Sequence, residues 1–211
     1  MPIRAVLWDF GGVILESPFD GFTRYEQEAG LPAGFLRSLN ANNPDDNAWA
    51  RMERNDISLE DFSRLYEAEA EQAGHRIDAQ AVLALLSGRP RPAVVEAVRR
   101  CSARLPTGLL TNNFVVKDAA LAGGRPDLDE ILGLFHVIVE SSKIGMRKPD
   151  PRIYEVAAEA LGVPPQETVF LDDLGINLKP ARAMGMTTIK VVDPDEALDE
   201  LEAAVGFSVR G

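Results

Sequence analysis

Ala5-Val6-Leu7-Trp8-Asp9-Phe10-Gly11-Gly12-Val13-Ile14-Leu15 is an apolar run that ends on one carboxylate and passes at once into two glycines. A run of this length reads as a buried strand, and the glycines end it. Asp9 then falls at the carboxyl end of a strand, where open α/β sheets bind ligands, beside a backbone free to approach an anion. Taken alone, the same residues fit an aspartate that merely caps a turn.

Far downstream, Val169-Phe170-Leu171-Asp172-Asp173-Leu174-Gly175-Ile176-Asn177 ends the same way, on carboxylates. If the two runs are neighbouring parallel strands, Asp9, Asp172 and Asp173 meet at one sheet edge. Like charges at close range repel unless a cation sits among them, so a hard divalent ion is expected, Mg²⁺ first.

The 211 residues suffice for one large domain or for a core with an insertion. Lys plus Arg number 22 against 33 for Asp plus Glu, a formal net charge of −11. That balance argues against sequence-independent binding to nucleic acid or to an anionic membrane, and any anionic substrate must be met by local positive charge. A single cysteine, Cys101, forbids an internal disulfide and suits a reducing compartment; it sits in a helical pattern and reads as a packing residue. His75 and His136 stand alone in the sequence, which speaks against a zinc site or a histidine-based triad. Met1 to Leu7 lacks the pattern of a signal peptide, and no uninterrupted apolar run approaches the roughly 18 residues of a membrane span. A cytoplasmic location is expected, with no nucleic acid or membrane partner.

From about Phe22 to Leu86 the texture is helical, with apolar residues at three and four spacing in Leu59-Phe62-Leu65-Tyr66 and Ala81-Val82-Leu85-Leu86. A turn is expected over Glu16-Ser17-Pro18-Phe19, a helix start at Ser58-Leu59-Glu60-Asp61 and a polar loop over Asn40 to Asn47. Ser87 to Pro92 punctuates the return, after which strands and helices alternate. Helices are expected over Val94 to Arg104, Val115 to Ala122, Ile153 to Leu161, Ile176 to Met184 and Asp195 to Val205. Strands are expected over Gly108 to Leu110, Phe135 to Val139, Thr168 to Leu171 and Thr187 to Val191. Alternation of this kind means a doubly wound, Rossmann-like parallel sheet with right-handed crossovers, interrupted after its first strand by an all-helical cap. The expected division is residues 1–16 and 89–211 for the α/β core and 17–88 for the cap.

Each remaining strand end supplies a group that suits a phosphate. Thr111-Asn112-Asn113 follows Gly108-Leu109-Leu110, and Lys143 and Arg147-Lys148-Pro149-Asp150 follow Val139. A hydroxyl, an amide, a lysine and exposed backbone N–H groups can hold the equatorial oxygens of a phosphoryl group. Singly, each is also an ordinary turn or solvated loop residue.

In this order, Trp8-Asp9-Phe10-Gly11-Gly12-Val13, Thr111-Asn112, Lys148-Pro149-Asp150-Pro151-Arg152-Ile153-Tyr154 and Asp172-Asp173 resemble the four motifs of the haloacid dehalogenase superfamily. Its members mostly hydrolyse phosphate esters through an aspartyl-phosphate. Leu171 to Arg182 looks especially like the phosphatase domain at the amino end of soluble epoxide hydrolases. Gly145-Met146-Arg147-Lys148-Pro149 and Glu53-Arg54-Asn55-Asp56-Ile57-Ser58 look like small bacterial sugar-phosphate phosphatases of the same group. The resemblance implies that Asp9 is the nucleophile and a Mg²⁺ ligand, with the Gly11 carbonyl also on the metal. It implies that Thr111, Asn112 and Lys148 hold the phosphoryl group, that Lys148 keeps Asp9 ionised, and that Asp173 binds Mg²⁺ directly. Asp172 binds the ion directly or through water, and Asn177 completes the site.

One position departs from the pattern. Most phosphatases of the superfamily carry a second aspartate two residues after the nucleophile, as general acid and base; here that residue is Gly11. Three readings follow: a Mg²⁺-dependent phosphatase acting on a small phosphorylated metabolite whose leaving group departs easily, a 2-haloacid dehalogenase, or a non-enzymatic binding or regulatory protein on the same scaffold. Substrate and oligomeric state, a homodimer included, are left open.

Overall fold

The computed structural model describes residues 2–86, 88–113 and 126–211. Five strands, β1 (Ala5–Trp8), β2 (Thr107–Thr111), β3 (Val137–Glu140), β4 (Thr168–Asp172) and β5 (Thr187–Lys190), form one sheet in the order β3-β2-β1-β4-β5. Every neighbouring pair is parallel. The first strand of the sequence is thus the middle strand of the sheet. The chain builds outward from it on one side and then returns to build on the other, which opens a crevice at the carboxyl ends of β1 and its neighbours.

Parallel strands covered on both faces read as continuous apolar runs, and β1 shows why. Successive side chains point to opposite faces. Val6 and Trp8 pack with Val94, Val98 and Cys101 of α6 (Pro92–Ser102) and with Leu198 and Leu201 of α11 (Pro194–Val205). Ala5 and Leu7 pack with Ile153, Tyr154 and Leu161 of α9 (Pro151–Leu161) and with Leu178 and Ala181 of α10 (Gly175–Ala183). Two shorter helices, α7 (Pro126–Leu132) and α8 (Ser141–Ile144), flank β3.

Between β1 and α6 the described residues form five α-helices: α1 (Pro18–Glu28), α2 (Phe35–Ala41), α3 (Ala48–Glu53), α4 (Leu59–Gln72) and α5 (Ala79–Ala84). They bury a cluster of their own, which includes Phe22, Leu36, Met52, Phe62, Tyr66 and Val82. Trp49 lies against Phe22, Phe62 and Tyr66. The two ends of this helical segment run antiparallel. Glu16 N–H donates to Arg89 O at 2.8 Å, Arg91 N–H donates to Ile14 O at 2.8 Å, and Leu15 bridges Pro90.

Several boundaries differ from the sequence reading. The turn expected at Glu16 to Phe19 is a helix start: Ser17 Oγ accepts from Phe19 N–H and Pro18 takes the first helical position, where its missing N–H costs nothing. α2 runs through Ala41, so the polar loop is shorter, and Asn47 caps α3 by accepting from Ala50 N–H. α6 begins at Pro92 rather than Val94, by the same proline rule. α8 has four residues, too few to show a period. The helix start at Ser58 is present, its Oγ accepting from Asp61 N–H at 3.0 Å. The helix expected over Val115 to Ala122 and the residue Ser87 lie outside the described residues.

Candidate active site

The register Trp8↔Leu171 sets the chemistry. Asp9 N–H continues the ladder to Leu171 O at 2.9 Å, which brings Asp9 beside the end of β4. The chain then turns through Phe10 to Ile14, with Gly12 in the left-handed region at φ 80°. The carboxylate of Asp173 lies where a side chain on residue 12 would begin, so any residue but glycine there would push Asp173 aside. Gly11 is different, since a side chain at that position would meet nothing within 4 Å.

Asp9, Asp172 and Asp173 offer oxygens that lie within 4.8 Å of one another. Lys148, 1% exposed, sits among them, with Nζ 2.8 Å from Asp9 Oδ1 and 2.7 Å from Asp172 Oδ2. Asp9 Oδ1 also accepts from Phe10 N–H at 2.7 Å. Among the described residues Oδ2 of Asp9 has no such donor. Among these residues one oxygen of the carboxylate is held and the other is free.

Asp172 is held on every side. Leu174 N–H donates to Oδ1 at 2.8 Å, and Asn177 Nδ2 reaches both oxygens at 3.1 Å. Tyr154 in turn donates its hydroxyl to Asn177 O at 2.7 Å, tying α9 to the first turn of α10. Asn177 therefore orients an acid rather than facing a substrate directly.

Three carboxylates against one ammonium leave two negative charges in a buried place. Burial first, and then repulsion from Asp172 and Asp173, push the Asp9 carboxyl up to about 8 despite the pull of Lys148. Burial and the nearby Asp172 likewise push Asp173 up to about 6. Lys148 is held above its ordinary value by Asp172 and Asp9, against the cost of burial. A hard dication among three oxygen donors would cancel the surplus charge, so the donor set fits Mg²⁺.

Thr111 closes β2 next to β1 and is buried. The side chain of Asn112 is spent on the backbone of Lys148: Oδ1 accepts from its N–H at 2.8 Å and Nδ2 donates to its carbonyl at 3.0 Å. That leaves the Asn112 backbone N–H as the group it offers to an anion. Lys143, one of the cations noted beyond Val139, pairs with Glu140 on an exposed face and is not brought to the acids. His136 Nδ1 accepts from Thr107 N–H, His75 packs edge-on to Phe35, and the Cys101 thiol is pushed up to about 12 by burial, all structural roles.

Sequence reasoning missed Glu53 as a site neighbour. It ends α3, is 8% exposed, and accepts from Arg147 Nε at 2.6 Å, Trp49 Nε1 at 3.0 Å and Asn112 Nδ2 at 3.3 Å. Its signals in the sequence were its place at the head of Glu53-Arg54-Asn55-Asp56-Ile57-Ser58 and an acid ending an otherwise apolar helix face.

A parallel sheet with a carboxylate closing its middle strand, a buried lysine beside it and an acid pair at the end of the next strand defines an α/β protein of Rossmann-like type with a cation-seeking site. The chain belongs to the haloacid dehalogenase-like hydrolases, whose family model matches residues 3–185. It is 34% identical over 222 residues to bifunctional epoxide hydrolase 2 of Sus scrofa, covering 99% of this chain and 40% of that protein. It spans less than half the length of the other mammalian relatives it matches. It is 33% identical over 202 residues to Phosphatase MT3486 of Mycobacterium tuberculosis, covering 88% of this chain and 86% of that one. A haloacid dehalogenase family enzyme of Bacteroides thetaiotaomicron, solved with magnesium and inorganic phosphate, shares the fold, with TM-score 0.62 and 20% identity over 89% of this chain and 93% of that one. Among the described residues no helix is long and apolar enough to cross a membrane.

Proposed function

We propose that this chain is a Mg²⁺-dependent phosphatase that hydrolyses a small phosphorylated metabolite through an aspartyl-phosphate on Asp9. The observation that carries the reading is Lys148, a buried ammonium that holds one oxygen of Asp9, the other having no donor among the described residues. Asp9, Asp173, the Gly11 carbonyl and, directly or through water, Asp172 would hold the ion. When bound, Mg²⁺ supplies positive charge that lets two anions approach each other.

The free Asp9 oxygen attacks phosphorus, and the bond from phosphorus to the ester oxygen breaks, its electron pair leaving with that oxygen. Lys148 and the N–H and hydroxyl donors of Thr111 and Asn112 hold the phosphoryl oxygens as charge spreads over them. Water then attacks the acyl phosphate, which releases phosphate and restores the carboxylate. With glycine at position 11, no side chain there donates a proton to the leaving oxygen. Substrates that leave easily or supply their own acid, such as sugar 1-phosphates and acyl phosphates, are favoured.

The helical segment 17–88 serves in this reading as a cap over the site. Two carboxylates beyond the nucleophile weigh against a dehalogenase, in which a neutral haloalkyl carbon must be approached and halide must leave as an anion. Phosphate release from p-nitrophenyl phosphate is the test, run with Mg²⁺, with EDTA and with Asp9→Asn. Metal-dependent release lost in the variant supports the reading. Halide release from 2-haloacids indifferent to EDTA overturns it.

A further inference from the structure

Glu53 joins the helical segment to both loops that carry the anion-holding groups. Its Oε2 accepts from Asn112 Nδ2, beyond β2, and from Arg147 Nε, beside Lys148. Its backbone carbonyl accepts from Ser141 Oγ at 2.6 Å, at the start of α8. The guanidinium of Arg147 extends the tie, donating from Nη1 to Pro44 O at 2.9 Å. Asn112 grips both sides of the Lys148 residue, its N–H and its C=O. Glu53, Asn112 and the Lys148 backbone therefore form one chain of hydrogen bonds that ends on the main chain of the residue whose ammonium lies 2.8 Å from Asp9.

We propose that Glu53 is a positioning residue for catalysis: by accepting from both the Asn112 amide and Arg147 it braces the clamp of Asn112 on the Lys148 backbone, and so the placement of Lys148 on Asp9. An Asn amide can rotate by half a turn with little intrinsic preference, and only its partners decide which end is the donor. Lys148 N–H requires the oxygen end, while Lys148 C=O and Glu53 both require the NH₂ end, so the demands agree. Without Glu53 the amide keeps its two partners on Lys148 but loses the carboxylate that ties it to Arg147 and to the helical segment. The helical segment thereby helps set the geometry of a site whose groups otherwise all come from strand ends. This rests on the phosphatase reading for its kinetic readout.

The test compares Glu53→Met, which has no acceptor at that place, with Glu53→Gln, which keeps one oxygen for Asn112 and Arg147. With p-nitrophenyl phosphate and Mg²⁺, Glu53→Met is expected to lower kcat about 100-fold, the scale of a small misplacement of a reacting group. KM should stay within about threefold, and Glu53→Gln should retain kcat within about threefold. The thermal stabilisation given by Mg²⁺ should match the parent's in both, since the acids are untouched. The ¹⁵N–¹H resonances of the Asn112 side chain should move in Glu53→Met and not in Glu53→Gln. A Glu53→Met protein with parental kcat overturns the proposal, as does a loss of kcat matched by a loss of Mg²⁺ binding. If the parent releases no phosphate, the phosphatase reading fails, and unmoved Asn112 resonances in Glu53→Met would separately overturn the positioning role. Should Glu53→Met not fold, Glu53→Asp, one methylene shorter, takes its place with the same expected direction.

Discussion

The carboxylate of Asp173 packs against the Cα of Gly12, in the space that any other residue's Cβ would need. Gly12 also has φ 80°, a conformation that L side chains rarely adopt. Gly12→Ala is therefore expected to displace Asp173 and to weaken Mg²⁺ binding by about 10- to 100-fold, the range for disturbing a ligand's support. Titration calorimetry with Mg²⁺ reads this directly; parental affinity would contradict it.

Gly11 is open where Gly12 is closed, and its φ of −73° suits any residue. Gly11→Asp is expected to fold and to raise turnover of alkyl phosphates relative to p-nitrophenyl phosphate by about 10-fold or more, toward the value of a general acid. The ratio of the two kcat/KM values is the measurement. An unchanged ratio would mean that proton donation to the leaving oxygen is met elsewhere.

Lys148→Met preserves bulk and removes the ammonium from between Asp9 and Asp172. Breaking a buried pair and leaving its acids uncompensated costs about 3–5 kcal/mol, and losing one donor to the phosphoryl group costs about 10²–10³ in kcat. Urea unfolding of the metal-free protein and steady-state kinetics report the two effects separately. Lys148→Arg is expected not to rescue, since a planar guanidinium does not fit a fully buried ammonium's place.

The pH dependence follows from Asp9. Its carboxyl rises from an ordinary 3.8 to about 8 in the metal-free fold, so the folded state keeps a proton that the unfolded chain releases. That contribution to stability is fully present below the unfolded value and is lost as pH rises toward the folded one. Metal-free protein is expected to lose stability across this window, less steeply in Asp9→Asn. Mg²⁺ should stabilise the parent more at about pH 8 than at about pH 5, because it competes with that proton. Denaturation curves at several pH values, with and without Mg²⁺, test it; equal slopes in parent and variant would contradict it.

The strands were legible because burial on both faces of a parallel sheet leaves long apolar runs, and Asp9, Lys148, Asp172 and Asp173 were legible because each stands just past such a run or in the loop that follows. Asn112 was found as a residue, while its use as a clamp on Lys148 was not, because that contact spans 36 positions and depends on how one amide is turned. Glu53 was quoted within a stretch, but its link to the site was invisible for the same reason, these partners lying 59 and 94 positions away. The start of α1 was misread as a turn because serine before proline signals both, and only the following apolar spacing separates them.

The middle position of β1 has a consequence for how the molecule folds. Asp9 leaves the first strand, yet its partner Asp172 is 163 positions later, and the two meet only when β4 docks against β1. Pairings between such distant segments form late, since a long loop must close before they repay its entropy. No early intermediate built from the first strand and the helices after it can hold the acid cluster together. Metal affinity should therefore appear in step with the completed sheet, which makes Mg²⁺ binding a clock for the last stage of folding.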